Sequence, residues 1–427
     1  MSPHQRAEAA IRISRLENGL TVATETIPGV ETATLGIWVA AGSRNELEAE
    51  HGLSHLIEHM AFKGTARRSA RQIAEDIENV GGEINAATST EFTSYTARVL
   101  GEDIGLAIDV LGDILTNSLF DATELAREKN VILQEHASVE DSPDEVVSDA
   151  FMETAFAGQA LGRPILGRPE TIANFDAATI RAFMAREYTP SRMVFAAAGQ
   201  VDHAEVVDAV GQALGTIPAS DAPEPPGGVY TGGERRLRRK LEQASLMIGL
   251  PGISFRDPGY FATHIFAQAL GGGLTSRLWH EVRETRGLAY SVEAFHWPFT
   301  DCGLFGIGAG TAAADLASLV EVVTQTAREA ARGIEPVELA RARAQLKVAM
   351  LAALETPGGR IDRAARQLLA WGRIIPAEET IARVDAVTVD EVRAAGARTL
   401  AGPPTVAAIG PIKALQPLRG IAAAFAA

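Results

Sequence analysis

The order of apolar and polar positions predicts a chain that mixes strands with amphipathic helices. Alternation of apolar and polar residues predicts strands at 20–25, 34–39 and 92–99. Apolar residues spaced three and four apart predict helices at 52–62, 69–79, 103–117, 121–140 and 176–187. Strands and helices do not alternate in regular βαβ units, so the pattern favours an α+β fold with helices packed on mostly antiparallel sheet.

A segment rich in proline and glycine, residues 218–234, divides the chain near its midpoint and offers little for a core to bury. The flanking halves share a repeat, because residues 170–179 and 379–388 are identical at seven of ten positions. We therefore predict two domains of similar fold, at 1–217 and 235–427, joined by that linker. Chance similarity between alanine-rich helices is the alternative explanation for the repeat.

Composition and charge narrow the classes of function. The 427 residues carry a net charge of −15, which argues against a nucleic-acid partner. A single cysteine, Cys302, excludes an intrachain disulfide framework and a multi-cysteine metal cluster. No run approaches the roughly 20 apolar residues that cross a membrane, and residues 1–10 contain no apolar signal segment. We expect a cytoplasmic protein without a membrane partner.

The segment with the clearest chemistry is the predicted helix at 52–62. Residues three and four apart share one helix face, so we expect His55, Glu58 and His59 side by side. Two imidazoles one turn apart can bind a divalent ion, and nitrogen ligands suit zinc. Glu58 could then act as general base toward water activated by the ion. A histidine pair without a metal is the alternative, since this short pattern also arises by chance.

A catalytic zinc site needs a third protein ligand. The helix at 121–140 contains the acidic residues Glu124, Glu128 and Glu135, and the last two lie two turns apart on one face. One of these two could bind the metal while the other supports the surrounding shell. Their spacing does not decide which does so, and a solvated acidic stripe is the alternative.

Several motifs in this order resemble the pitrilysin/insulinase family of zinc peptidases (inverzincins), in particular the two-domain branch with the mitochondrial processing peptidase beta subunit and its bacterial homologues. They lie at 55–65, 81–86, 128–135, 161–167, 271–278 and 283–290. The resemblance implies two homologous α/β-sandwich domains with a processing-peptidase-like metallohydrolase fold. It also implies one zinc ion per chain with His55, His59 and Glu135 as ligands, Glu58 as general base and Glu128 as the supporting carboxylate.

The resemblance further implies how a peptide substrate is bound. Asn85, Ala86 and Ala87 would form an open sheet edge to which the peptide adds as a strand, so the peptide must be extended. We expect a helix at 274–286 that leads to the family's arginine–tyrosine pair. Arg283 would hold a substrate carbonyl, and Tyr290 would stabilise the oxyanion.

Glu145 and Asp149 lie four residues apart on a predicted helix after Pro143. They match acidic positions with which processing peptidases hold an arginine near the cut, and a carboxylate pair suits a guanidinium. A solvated acidic helix in an acidic protein is the alternative interpretation.

The sequence therefore predicts a zinc-dependent metalloendopeptidase that cleaves short or unfolded peptides in an enclosed chamber. The same resemblance implies a homodimer, or a heterodimer with a related chain, in which the arginine–tyrosine pair comes from the partner. The alternative is a scaffold or assembly subunit without catalysis, because the family also contains structural members.

Overall fold

A computed structural model describes residues 11–426. The chain forms two compact units, and each combines segments from both halves of the sequence. Among the described residues, the first contains 11–135, 165–226 and 350–380, and the second contains 136–164, 227–349 and 381–426. The predicted absence of a signal segment concerns residues 1–10, which lie outside the described part of the chain.

The first unit is built on a six-stranded sheet. In spatial order its strands are β1 (Ile11–Arg15), β2 (Thr21–Thr26), β6 (Met193–Gly199), β3 (Thr32–Val39), β5 (Thr93–Leu100) and β4 (Glu83–Thr88). β2 and β6 run parallel, and the other neighbours are antiparallel. β4 is therefore an edge strand that pairs with β5 on one side only, as far as the described residues show.

Helices cover both faces of this sheet. The helices of the first unit are α1 (Leu53–Ala61), α2 (Ala70–Glu78), α3 (Ile104–Thr116), most of α4 (Ala122–Glu140), α6 (Pro169–Asn174), α7 (Ala177–Glu187), α8 (His203–Leu214) and α12 (Pro357–Trp371). Alternate residues of β3 enter opposite cores: Leu35 and Ile37 pack in the main one, whereas Trp38 packs with Ile361 of α12.

The second unit repeats the same sheet. Its strands, in spatial order, are β7 (Gly233–Arg238), β11 (Thr405–Gly410), β8 (Gln243–Pro251), β10 (Gly303–Ala312) and β9 (Ala289–Pro298). β7 and β11 are parallel and the rest antiparallel, which reproduces the order and directions of β2, β6, β3, β5 and β4. The predicted α+β fold is confirmed, and the repeated topology agrees with a duplication.

Helices also complete the second unit. They are α5 (Pro143–Ala155), α9 (Tyr260–Gly271), α10 (Leu316–Arg332), most of α11 (Pro336–Ala353), part of α13 (Ala377–Ala386), α14 (Val389–Leu400) and α15 (Leu418–Ala426). None of the helices in residues 11–426 combines the length and apolarity needed to span a membrane.

One helix from each half of the sequence packs on the sheet formed mainly by the other half. α5 packs against β7, β8 and β11, and α12 packs against β3 and β6. The compact units therefore differ from the expected contiguous domains 1–217 and 235–427 in two segments, 136–164 and 350–380. Hydrophobic periodicity shows that a helix has an apolar face but does not show which sheet that face will cover.

The helix expected at 274–286 is shorter and has a different geometry. It begins at Arg277 and is π-helical over Trp279–Thr285. Residues 272–276 form bends and turns instead, and Ser276 Oγ accepts a hydrogen bond from Trp279 N at 3.4 Å. A serine side chain that accepts from a backbone N–H in this way favours a helix start, which explains the later beginning.

Candidate metal centre

α1 presents its polar side chains on one side. Leu56 and Ile57 are fully buried in the core of the first unit, whereas His55, Glu58 and His59 are partly exposed. This division follows from helical periodicity, because the apolar positions point toward the sheet and the polar ones away from it. The helix predicted from the sequence is thus present and bears the three side chains on one side.

The start of α1 is fixed by a buried carboxylate and by glycines. Glu46 accepts hydrogen bonds from Gly52 N at 2.8 Å and Ser54 N at 2.7 Å, which satisfies backbone donors at the helix N-terminus. Gly52 has φ +94°, and a Cβ there would lie 2.7 Å from Gly167 Cα. The end of the 161–167 motif therefore packs closely against the start of α1.

α4 supplies the acidic side chains. Its start is capped by Asp121, whose Oδ1 accepts from Thr123 N at 2.8 Å and Glu124 N at 3.1 Å. The predicted helix is therefore present, and Asp121 is its N-cap. Leu125 and Ile132 are buried in the core of the first unit and orient the helix.

Three donor groups from α1 and α4 converge on one point. His55 Nε2 and His59 Nε2 are 3.2 Å apart. His55 Nε2 lies 3.7 Å from Glu135 Oε2, and His59 Nε2 lies 3.7 Å from Glu135 Oε1. Ligands bound tetrahedrally to zinc at about 2.0–2.1 Å are separated by about 3.3–3.4 Å. The spacing of these three side chains therefore fits a zinc ion.

The hydrogen bonding of Glu135 supports this fit. Its Oε2 is buried and has no hydrogen-bond partner among the described residues. A buried oxygen without a partner is costly, because it has lost water and gained nothing in exchange. A cation between the carboxylate and the two imidazoles would satisfy it, and two nitrogens with one oxygen form a donor set that zinc accepts.

Glu128 occupies a different place from Glu135. Its Oε2 is 3.1 Å from His59 Nδ1, and its Oε1 is 2.8 Å from Lys63 Nζ. The side chain is 8% exposed and lies behind the histidine, on the ring side opposite Nε2. Glu128 thus contacts one candidate ligand and is not part of the converging set of three.

Two buried tyrosines, Tyr95 and Tyr188, belong to the surroundings of Glu58, and no motif in the sequence indicated them. The hydroxyls of Tyr95 and Tyr188 are 2.9 Å apart. Burial raises the pKa of Tyr188 to about 12, with a contribution from the charge of Glu58, and burial also raises the pKa of Tyr95 well above its usual value. Both hydroxyls therefore stay protonated at neutral pH. Tyr95 lies within the predicted strand at 92–99, and its place in the alternating pattern does not distinguish it from the other buried residues of the strand.

The predicted open strand lies next to α1. Asn85 and Ala87 of β4 are exposed, and Ala86 between them is 9% exposed. Thr88 Oγ1 donates a hydrogen bond to Ser54 O at 3.4 Å, which ties the end of the strand to the helix of the histidines. The backbone of β4 can therefore accept a further strand beside α1.

In the second unit, Arg283 and Tyr290 contact each other. The Arg283 guanidinium lies 4.4 Å from the centre of the Tyr290 ring and 4.2 Å from that of Trp279. Its Nη1 donates to Tyr290 O at 3.1 Å. The Tyr290 side chain is 78% exposed. The pair expected from the motif is thus in contact, and Trp279, four residues before Arg283, completes a cation–π sandwich.

Glu145 and Asp149 lie on α5, also in the second unit. Glu145 is exposed and Asp149 is partly buried. Burial, together with the charges of Glu153, Glu145 and Glu140, raises the pKa of Asp149 to about 6. The predicted helix is present, and its acidic side chains are close enough to Asp149 to repel its negative charge.

The repeated sheet and the three converging side chains agree with the comparison of this chain with known protein families. Residues 21–169 match the insulinase family, peptidase family M16, and residues 174–346 match the peptidase M16 inactive domain. This chain belongs to the M16, or insulinase, peptidase family. The family resemblance expected from the sequence is confirmed.

Its relatives span nearly the same length. An uncharacterized zinc protease of Streptomyces coelicolor is 41% identical over 419 residues, which cover 96% of this chain and 91% of that protein. The uncharacterized zinc protease YmxG of Bacillus subtilis is 36% identical over 383 residues, which cover 88% of this chain and 92% of the relative. These names associate the family members with zinc and proteolysis.

Solved structures share the fold at lower sequence identity. A peptidase M16 inactive domain from Pseudomonas fluorescens has a TM-score of 0.88 and 23% identity, with 95% of this chain and 100% of that chain covered. A chain of complex III2 from Candida albicans has a TM-score of 0.85 and 24% identity, with 97% and 99% covered. A protease from Helicobacter pylori has a TM-score of 0.85 and 18% identity, with 94% and 99% covered.

Proposed function

We propose that this protein is a zinc-dependent endopeptidase that cleaves short or unfolded peptides. The observation that carries the proposal is the convergence of His55 Nε2, His59 Nε2 and the Glu135 carboxylate at distances of 3.2–3.7 Å. These three side chains are the proposed ligands of one zinc ion per chain. The names of the relatives, which associate them with zinc and proteolysis, support the same conclusion.

Zinc held by these ligands supplies Lewis-acid activation of water and of the substrate carbonyl at neutral pH. Glu58 lies on the same side of α1 as both histidines, where it can take a proton from the attacking water and return it to the leaving amine. Glu128 contacts His59 Nδ1 and thereby directs Nε2 toward the other ligands. The proposal therefore gives Glu58, Glu128 and Glu135 distinct roles.

The substrate is proposed to bind as a strand along β4. Asn85, Ala86 and Ala87 lie on an edge whose backbone groups can pair with an extended peptide. Pairing through the backbone selects conformation instead of sequence, so folded proteins would be poor substrates. This supports a preference for peptides and unfolded segments.

Arg283 and Tyr290 are proposed to bind the substrate carbonyl and the oxyanion respectively. The exposed Tyr290 hydroxyl can donate a hydrogen bond, and the guanidinium is held in one orientation by its two neighbouring rings. We propose that a second copy of the chain, or a related chain, supplies this pair and encloses the chamber.

Glu145 and Asp149 are proposed to favour a basic residue near the cut. A guanidinium bound between them would offset the mutual repulsion that raises the pKa of Asp149. The exposed position of Glu145 leaves it open to a substrate side chain.

A scaffold role is the second candidate function. The match of residues 174–346 to an inactive domain and the fold shared with a chain of complex III2 favour it. A scaffold has no need for a set of three metal donors beside a glutamate. The complete set in this chain therefore favours catalysis.

Substitution of Glu58 tests the proposed function. Glu58→Gln should keep zinc, because the three donors are unchanged, and should lower the cleavage rate of a fluorogenic peptide by about 10²–10⁴-fold. Glu78→Gln, at an exposed glutamate of α2, is the matched control and should cleave at the wild-type rate. A Glu58→Gln protein that cleaves as fast as the wild type would contradict the mechanism. A wild type that binds zinc but cleaves no peptide would favour the scaffold.

A further inference from the structure

Lys63 connects to the candidate metal centre through Glu128. It lies two residues beyond the end of α1, and its Nζ is 2.8 Å from Glu128 Oε1. The lysine side chain is 31% exposed and the glutamate 8% exposed. The ion pair is therefore partly shielded from water, and its loss would leave a buried carboxylate without its cation.

The two oxygens of Glu128 are divided between two partners. Oε1 contacts Lys63, while Oε2 accepts from His59 Nδ1 at 3.1 Å. Two partners on opposite oxygens fix both the position and the plane of a carboxylate, which a single hydrogen bond leaves free to rotate. A donor proton on Nδ1 leaves the lone pair of His59 Nε2 directed at His55 and Glu135.

The backbone around Lys63 is itself anchored. Lys63 N donates to Met60 O at 3.2 Å, and Gly64 O accepts from Leu119 N at 3.1 Å. Thr65 is buried, and its Oγ1 donates to Asp113 Oδ2 at 2.6 Å. The lysine therefore extends from a fixed point of the chain toward Glu128.

We propose that Lys63 is a positioning residue of the metal centre, which holds Glu128 in the orientation that directs His59 Nε2 toward the ion. The proposal rests on the proposed function, since it requires that His55, His59 and Glu135 bind zinc. The proposal predicts that removal of the lysine weakens zinc binding, whereas a purely electrostatic effect would strengthen it. The positive charge of Lys63 repels a dication, so a lysine that acted only through its charge would weaken zinc binding, and its removal would tighten it.

Zinc affinity measured by competition with a chelator tests the proposal without reference to activity. Lys63→Met should bind zinc more weakly, by at most the roughly 10–100-fold that removal of a ligand's own outer partner costs, because Lys63 contacts Glu128 and not a ligand. Lys63→Arg, which can still contact Glu128, should bind nearly as tightly as the wild type. Lys240→Met removes the same charge from an exposed position two residues beyond the end of β7 and should leave the affinity unchanged.

Combining the substitution of Lys63 with a substitution of Glu128 shows whether Lys63 acts through Glu128. In a Glu128→Gln protein, the further change Lys63→Met should not weaken zinc binding, because the lysine then acts only through its charge. Thermal unfolding of the zinc-free proteins checks that each is folded, and Lys63→Gln replaces Lys63→Met if the latter is not. If the wild type binds zinc and Lys63→Met binds it equally or more tightly, the positioning role of Lys63 is wrong, while the proposed function stands. A wild type that binds no zinc would instead contradict the proposed function.

Discussion

At the scale of single residues, the choice between Glu128 and Glu135 shows where sequence spacing stops being informative. Both side chains lie on one face of α4, seven residues apart, so periodicity treats them alike. In the structure Glu135 is 3.7 Å from both histidine Nε2 atoms, while Glu128 contacts the far nitrogen of His59. The position of one helix along the other decides this difference, and only the folded chain defines that position.

The raised pKa of Asp149 makes folding stability depend on pH. Its folded-state pKa of about 6 exceeds the usual 3.8, so the folded protein favours the protonated form. The resulting penalty is absent below about pH 4, grows between pH 4 and 6, and is complete at higher pH. Asp149→Asn should therefore raise the free energy of unfolding by about 1–3 kcal/mol at pH 8 and by almost nothing at pH 4. Urea unfolding at both pH values measures this, and an equal gain at both would contradict the assigned cause.

Other residues of the site were predictable to different degrees. The spacing of His55, Glu58 and His59 was sufficient to place them on one side of a helix. Lys63 was not predictable as a partner of Glu128, because it lies beyond the helix, where no spacing rule applies. Trp279 differs from Lys63 in this respect, because it lies four residues before Arg283 in the predicted helix, and that spacing alone places the two side chains on one face.

At the scale of elements, the exchange of α5 and α12 between the two sheets is the main feature that the sequence did not predict. Strands and helices were largely predictable because their apolar periods differ. Each sheet, however, has a second apolar face that needs a cover, and either helix is amphipathic enough to supply it. Trp38 and Val194 on the second face of the first sheet pack with Ile361 and Ala365 of α12.

Truncation of Ile361 tests whether α12 stabilises the first unit. The side chain is 3% exposed, so Ile361→Ala should lower the free energy of unfolding by about 2–4 kcal/mol through lost contacts and a cavity. The matched control is Val348→Ala on α11, where the side chain is 67% exposed and the expected change is below about 0.5 kcal/mol. Denaturant unfolding of both variants gives the comparison, and an Ile361→Ala protein as stable as the control would contradict the packing role.

At the scale of the whole molecule, the two sheets are similar, but residues 11–426 contain a single candidate metal centre. α9 follows β8 as α1 follows β3 in the strand order, yet α9 contains a single histidine, His264, and no glutamate. Burial lowers the pKa of His264 to about 4, which is typical of a neutral core histidine. The match of residues 174–346 to an inactive domain agrees with this loss. We therefore expect one zinc ion per chain and not two.

Zinc binding by the purified full chain, measured as stoichiometry and affinity for the wild type and Glu135→Gln, tests the central claim most directly. The account predicts one zinc per wild-type chain. It also predicts that Glu135→Gln loses more affinity than the roughly 10–100-fold expected for an outer partner. A wild type without zinc, or a Glu135→Gln protein that holds zinc as tightly as the wild type, would contradict it.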